Sequence, residues 1–208
     1  AIETQEQVIK GMREEGDASS TIHLTGNLLI MRRSLGVTDE LLNSFRTFAE
    51  EYKRRNSWDT EGLATCTSLL AQCYEELGYF DESLFHQLQA TELVRSSHDI
   101  GVREGQVHNL GCRYEARGDF PRAHQLYKQA LTLAEKSNNP LWKANHLAGL
   151  AGTYAARGQH ETALELIDQA LIIRHEIGDL GGTARNLSTK ANILLDLGRT
   201  VDATHAAK

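Results

Sequence analysis

The sequence predicts an all-α fold in which one helical hairpin is repeated along the chain. Three observations support this prediction: regularly spaced glycines, a helical period of apolar residues between them, and small residues at fixed distances after them. The glycines are Gly36, Gly78, Gly118, Gly158 and Gly198, with a first interval of 42 residues and later intervals of 40. A period of about 20–50 residues is typical of a solenoid, in which each unit buries its apolar face against its neighbours.

Each unit is predicted to contain two helices. In the second unit, apolar residues recur at intervals of three, four and seven, which is typical of one helix face; they are Leu63, Leu70, Cys73, Tyr74 and Leu77. The glycine that follows suits a helix C-terminus, where the left-handed conformation favours a residue without a side chain. Acidic residues and a proline then suit the start of a second helix; they are Asp81, Asp119, Pro121 and Glu161. Small residues five and twelve positions after each glycine allow two helices to approach closely; they are Ser83, Ala90, Ala123, Ala130, Ala163, Ala170 and Ala203.

These units resemble the tetratricopeptide repeat, whose pattern places Leu–Gly, Tyr, Gly, Ala, an aromatic residue and Ala at fixed positions. The third unit matches through Leu110, Gly111, Tyr114, Gly118, Ala123, Tyr127 and Ala130. The fourth matches through Leu150, Ala151, Tyr154, Gly158, Ala163 and Ala170, and the second through Leu70, Ala71, Tyr74, Gly78 and Ala90. The first departs most, because Leu41 stands where the family has Ala.

The period of 40 residues exceeds the family's usual length of about 34. It is similar to the long repeats of bacterial signalling ATPases and transcription activators, peptide-sensing regulators and kinesin light chains. The resemblance implies a right-handed α-solenoid of antiparallel helical hairpins. HEAT or armadillo repeats of about 40–47 residues are the alternative fold, and the Gly-then-Ala spacing argues against them.

We expect a single array over residues 1–208, because no linker rich in Pro, Gly or Ser interrupts the period. In this frame residues 1–21 form the second helix of a truncated repeat, complete repeats occupy 22–63, 64–103, 104–143 and 144–183, and 184–208 form another truncated repeat. The stretch 54–60 is interpreted as an expanded turn. Since the frame starts and stops within a repeat, we expect a segment of a longer protein; a natural end covered by an oligomer contact is the alternative.

Composition excludes several classes of partner. A net charge of −6 and a pI near 5.8 disfavour direct nucleic-acid or membrane binding. No apolar run approaches the roughly 18 residues of a membrane span. The three cysteines, Cys66, Cys73 and Cys112, are too few and too irregular for a disulfide framework, and we interpret them as core residues of a cytoplasmic protein.

The sequence contains no motif typical of catalysis, cofactor binding or metal binding. Its histidines do not fall into H-E-x-x-H, and neither a phosphate-binding loop nor a G-x-S-x-G elbow is present. We therefore interpret the histidines as solvated or helix-flank residues; those considered are His86, His98, His108, His124, His146, His160, His175 and His205. The glycine-rich stretch 147–152 falls within a first helix, where glycine permits close packing.

The resemblance implies that the first helices of the repeats line a concave face, and this selects the candidate binding residues. They are Asn27, Gln72, His108, Asn109, Asn145, Gly149, Gly152, Arg185 and Asn192. Amide side chains recur among them and can pair with both the N–H and the C=O of an extended peptide. The bare surface at Gly149 and Gly152 offers space for an anchoring side chain. Ordinary polar surface and close helix packing are the alternative interpretations.

The resulting hypothesis is a non-catalytic module that binds a protein or peptide in the concave groove. It would be a regulatory or scaffolding segment of a larger signalling or transcription-regulating protein, with an output domain elsewhere in the full chain. The alternative is an oligomerisation platform that joins chains through apolar end units, namely Ile2, Val8 and Ile9 at one end and Leu194, Leu195 and Leu197 at the other. A third hypothesis is a helical phosphatase-like regulator, although no residue supports independent catalysis.

Overall fold

A computed structural model describes Gly36 and residues 38–206. Within this part of the chain there are nine helices and no strand, so the predicted all-α class of repeated hairpins is confirmed. The chain divides into two compact units, residues 1–96 and 97–208. The assignment of residues 1–208 to one array of repeats stays a prediction.

The first unit contains three described helices: α1 (Asp39–Arg55), α2 (Thr60–Glu76) and α3 (Phe80–Leu93). Helix α2 packs against both α1 and α3. Phe45, Phe48 and Tyr52 of α1 meet Leu63 and Leu70 of α2 in a common apolar core. Cys66 and Cys73 are buried in this core, which confirms their interpretation as core residues.

The second unit contains three successive hairpins. They are formed by α4 (Ile100–Ala116) with α5 (Phe120–Ser137), α6 (Pro140–Ala155) with α7 (His160–Ile177), and α8 (Leu180–Asp196) with α9 (Thr200–Ala206). Each helix packs on the next along the chain, and α6 also contacts both α4 and α8. The three first helices, α4, α6 and α8, are therefore neighbours in that order.

A capping residue recurs every 40 positions at the start of the first helices. The side chains of Asp59, Asp99, Asn139 and Asp179 each accept a hydrogen bond from the backbone N–H three residues later. Each accepts from an amide that has no partner within its helix, which stabilises the helix N-terminus. The helices begin at Thr60, Ile100, Pro140 and Leu180, four residues before the predicted repeat starts.

The repeated glycines end the first helices as predicted. Gly78, Gly118, Gly158 and Gly198 have φ between 73° and 83°, a left-handed conformation in which other residues are strained. The small residues after them are buried where two helices meet: Ala90, Ala123, Ala130, Ala163 and Ala170 are 0% exposed, Ser83 1% and Ala203 4%. Within the described residues, no helix combines the length and apolar character that a membrane crossing needs.

Candidate functional site

Eight of the nine predicted binding residues lie in the described part of the chain. Gln72 is on α2 of the first unit, and Asn27 lies outside the described residues. The other seven are on the first helices of the second unit: His108 and Asn109 on α4, Asn145, Gly149 and Gly152 on α6, and Arg185 and Asn192 on α8. These three helices are neighbours, so the second unit places seven of the predicted residues on adjacent helices.

The predicted gap at Gly149 is filled by Tyr127 of α5. A Cβ atom at Gly149 would lie 2.7 Å from Cζ of the Tyr127 ring, and one at Gly111 would lie 2.9 Å from its Cε1. The ring is thus clamped between α4 and α6, where it is only 1% exposed. At Gly149 the structure therefore has the close packing that was the alternative to an open pocket.

Asn145 is engaged inside the unit. Its Oδ1 accepts a hydrogen bond of 2.6 Å from Nη2 of Arg174, which is 2% exposed on α7. Nη1 of Arg174 donates to Asp179, the N-cap residue of α8. The backbone N–H of Gly182 and the Arg174 guanidinium lower the pKa of the Asp179 carboxyl. Asn145 therefore helps to join α6, α7 and α8.

A buried chain of polar contacts crosses the core between α4, α5 and α6. The Ser137 hydroxyl lies 2.7 Å from Glu104 Oε2, and Glu104 Oε1 lies 2.8 Å from His146 Nε2. His146 Nδ1 is 3.0 Å from Nδ1 of His108, whose Nε2 is 3.5 Å from Cys112 Sγ. Glu104 and His146 are both 0% exposed.

The chain of contacts continues to Glu115. The Tyr127 hydroxyl lies 3.4 Å from Cys112 Sγ and 2.5 Å from Glu115 Oε2, so its single proton is donated mainly to the carboxylate. Trp142 of α6 covers the two imidazoles, with its ring stacked on His146 and edge-on to His108. The network thus links an interior carboxylate, Glu104, with a partly exposed one, Glu115.

The contact between the two imidazoles requires that at least one of them is uncharged. Two Nδ1 atoms that face each other at 3.0 Å form a hydrogen bond only if one of them carries no proton, so at least one ring is neutral. Burial lowers the pKa of His146 to about 4, and burial together with the neighbouring His146 lowers the pKa of His108 to about 3. Both rings are therefore neutral at physiological pH.

The acidic members respond to burial in the opposite direction. Burial raises the pKa of Glu104, opposed by the Ser137 hydroxyl, and raises the pKa of Glu115, opposed by the Tyr127 hydroxyl. Burial raises the pKa of the Cys112 thiol to about 11, so the thiol stays protonated and unreactive. Burial, with Cys112 and Glu115 beside it, raises the pKa of Tyr127 well above its ordinary value.

The interpretation of the histidines as solvated or flanking residues is wrong for His146 and His108. His146 is fully inside the unit, and His108 is partly buried against it. One sequence signal points to such sites: polar residues follow one another at intervals of one repeat, and all three are buried; they are Gln106, His146 and Asn186. His124 lies on α5 as expected, with Nδ1 3.0 Å from the Thr153 hydroxyl oxygen.

The first unit holds a groove that the sequence pattern does not predict. It has a volume of about 580 Å³ and is lined by residues of α1, α2 and α3, including Arg46, Lys53, Leu70 and His86. His86 stacks on Tyr74 at a centroid distance of 5.1 Å. Gln72, the predicted binding residue of this unit, is not among the residues that line the groove.

Two other predicted residues, Arg185 and Asn192, are exposed on α8. Asn109 is partly buried on α4, and its carbonyl oxygen accepts from Arg113 Nε at 3.4 Å. In the described part of the chain, no group of three or more His, Cys, Asp or Glu residues is arranged to hold a metal ion.

Residues 107–146 and 143–177 match the family model of the tetratricopeptide repeat. These segments cover most of the α4–α7 hairpins, where the residue pattern of the repeat is most complete. Residues 107–177 carry tetratricopeptide repeats. The match favours this family over the HEAT or armadillo alternative. No curated protein matches the sequence of the chain.

Solved tetratricopeptide-like structures share the fold at low sequence identity. BtubC (BKLC) from P. vanneervenii superimposes with a TM-score of 0.80 and 16% identity over 99% of this chain and 86% of that one. Aspartyl phosphate phosphatase F from Bacillus subtilis gives 0.74 and 14% over 94% and 52%. The Rap conjugation gene regulator of plasmid pLS20, in complex with the Phr* peptide, gives 0.73 and 13% over 89% and 50%. The chain spans about half the length of the last two proteins.

Proposed function

We propose that the chain is a non-catalytic module that binds a peptide or an extended protein segment on the first helices of its second unit. It serves as a regulatory or scaffolding segment of a larger signalling or transcription-regulating protein. The observation that carries this proposal is the contact of α6 with both α4 and α8, which makes seven predicted binding residues part of three adjacent helices.

The described contacts divide these residues into two roles. Asn109, Arg185 and Asn192 have partly or fully exposed side chains and are proposed to contact the ligand. His108, Asn145, Gly149 and Gly152 pack against residues of the unit and are proposed to position the surface. Gln72, which lies on α2 of the first unit, and Asn27, which lies outside the described residues, stay predicted binding residues. An amide offers a donor and an acceptor to the peptide backbone.

The structural comparisons support the proposal through the fold. One neighbour is a Rap regulator in complex with a peptide. Another neighbour is named an aspartyl phosphate phosphatase, so the non-catalytic role is proposed for this chain and does not follow from the shared fold. The net charge of −6 opposes direct nucleic-acid or membrane binding. The reduced state of Cys66, Cys73 and Cys112 supports a cytoplasmic location, and an output domain is proposed elsewhere in the full chain.

The test is selection of ligands from a random peptide library with the immobilised chain, followed by titration of the enriched peptides. Asn109→Ala and Asn192→Ala should each weaken binding by about tenfold, because each removes a paired amide. The control is Gln125→Ala, which removes an exposed amide from the second helix α5. Failure to enrich any peptide, or equal affinities for all variants, would refute the proposed surface.

Self-association is the second candidate function, and the last hairpin favours it. Leu195 on α8 is 51% exposed and Val201 on α9 is 70% exposed. An apolar groove of about 610 Å³ is lined in part by Leu195, Ala184 and Ala191. Of the predicted end residues, Leu194 is buried and Leu197 partly buried; Ile2, Val8 and Ile9 lie outside the described residues.

Sedimentation velocity over a hundredfold concentration range tests this second function. A platform of this kind should give a dimer or larger species that Leu195→Glu converts to monomer, because a charge would be buried in the contact. A monomer at every concentration would exclude self-association of this chain.

A further inference from the structure

Glu115 of α4 presents a partly exposed carboxylate beside Gly152 of α6. Its Oε2 accepts the hydrogen bond from the Tyr127 hydroxyl. Among the residues that the structure describes, no lysine or arginine forms an ion pair with it, and no basic group shifts its pKa. A carboxylate that is partly removed from water is normally paired with a cation or with several donors.

The position of this carboxylate is held from two sides. The Tyr127 ring packs between Gly111 and Gly149, and this packing fixes the position of its hydroxyl. The other oxygen, Oε1, lies over Gly152 of α6, where a Cβ atom would be only 2.9 Å away. Gly152 therefore makes room for the carboxylate, and both residues keep part of their surface in contact with solvent.

Burial raises the pKa of Glu115, which means that its surroundings oppose the negative charge. A cationic group placed beside Oε1 would reverse this effect, since an opposite charge within hydrogen-bond distance favours the ionised carboxylate. Because the carboxylate is already oriented, little ordering of side chains would accompany binding. The net charge of −6 also attracts cationic ligands.

We propose that Glu115 is the anchoring residue for a lysine or arginine side chain of the bound peptide, with Tyr127 and Gly152 as positioning residues. This inference rests on the proposed function and specifies its ligand class as a peptide with a cationic side chain. Glu115 lies one helical turn from Cys112 and six residues from Asn109 on α4, so one extended peptide reaches both the amide and the carboxylate.

The experiment uses a synthetic array of nonapeptides with random flanking sequences. Each flanking sequence is made in four versions, with Arg, Lys, citrulline or Glu as the central residue. The wild-type chain should retain Arg and Lys peptides over citrulline and Glu peptides. Glu115→Gln keeps an acceptor for Tyr127 but removes the charge, and should abolish the preference while binding continues. Glu135→Gln, an exposed change on α5, is the matched control and should leave the preference intact.

Titration of the best Arg peptide and its citrulline analogue then isolates the contact. Glu115→Gln should weaken the Arg peptide about tenfold and the citrulline peptide hardly at all, the size of change expected for one charge-assisted hydrogen bond. Gly152→Ala keeps the charge but displaces Oε1, and should also weaken the Arg peptide. Thermal unfolding verifies that both variants fold.

The outcomes separate the two proposals. Peptide binding that does not distinguish Arg from citrulline, or a preference that persists in Glu115→Gln, overturns the cationic anchor and leaves the peptide-binding function in place. No binding of any peptide to the wild-type chain overturns the peptide-binding function and the anchor with it.

Discussion

Replacement of Gly149 by alanine should destabilise the second unit, although the same change in an ordinary helix interior stabilises a protein. The new Cβ would lie 2.7–2.8 Å from three carbons of the Tyr127 ring, whereas ordinary contacts between carbon atoms are about 3.5–4.0 Å. Two contacts oppose a shift of the ring away from the new methyl group. Gly111 is against it on α4, and its hydroxyl is bonded to Glu115.

The magnitude follows from three opposing contributions. Replacing glycine in a helix interior by alanine raises the free energy of unfolding by about 1 kcal/mol. Overpacking the Tyr127 ring lowers it by about 2 kcal/mol. Displacing the tyrosine hydroxyl from the Glu115 carboxylate lowers it by about 1.5 kcal/mol more. The net expectation is a loss of about 2.5 kcal/mol, equivalent to a decrease in Tm of roughly 5–10 °C for a chain of this size.

Urea unfolding monitored by tryptophan fluorescence measures this change. Trp142 stacks on His146 within the second unit, whereas Trp58 is 80% exposed in the first. A Trp58→Phe background therefore makes the signal report the second unit. The control is Gly105→Ala, because its Cβ would make an ordinary contact of 3.5 Å with Trp142 and should stabilise by up to about 1 kcal/mol. A Gly149→Ala protein at least as stable as its parent would refute this account of the packing.

Three further predictions concern stability. Lowering the pH from 7.5 to 5 should remove about 2 kcal/mol of stability for each of His108 and His146, because the unfolded chain takes up protons below pH 6.5 that the folded rings bind only near pH 3–4. The variant with both His108→Gln and His146→Gln should lose less stability between these two pH values, as measured by urea unfolding. If its stability depends on pH as strongly as that of the parent, the two histidines are not the source of the effect. Arg174→Met should lower the free energy of unfolding by about 2 kcal/mol, because it removes two charge-assisted hydrogen bonds. Arg199→Met, at an exposed ion pair, is the control and should change the free energy of unfolding by less than about 0.5 kcal/mol. Equal changes in the two variants would show that the buried bonds of Arg174 contribute no more than an exposed ion pair. Gly178→Ala, at a φ of 71°, should lower Tm with an expected loss of about 1 kcal/mol, and an unchanged Tm would count against the left-handed cap.

Much of the fold was predictable because it depends on local physics repeated at a fixed period. A left-handed glycine ends a helix whatever the rest of the chain does, and small residues at fixed distances from it predict where two helices meet. Gly118 and Ala123 show both effects, with φ of 76° for the first and 0% exposure for the second. The N-cap residues, such as Asp59, follow the same period, so their spacing in the sequence also indicates where the first helices begin.

The candidate site was predictable only in outline. The period placed Asn145 and Gly149 on a first helix, but their partners come from other helices of the unit. Arg174 is 29 positions from Asn145 along the chain, and Tyr127 reaches Gly149 from the preceding hairpin. A sequence pattern does not contain the rotamers that decide whether a glycine leaves a pocket or accepts a neighbouring ring.

The sequence alone therefore determined the helical hairpins, their period and the tetratricopeptide resemblance, because these depend on backbone propensity and short-range spacing. Only the tertiary structure decided that His146 and Glu104 are buried partners, since they are 42 residues apart in sequence and 2.8 Å apart in space. It likewise decided that no cation of the described residues lies beside Glu115, because the pairing of a charge depends on every helix packed around it.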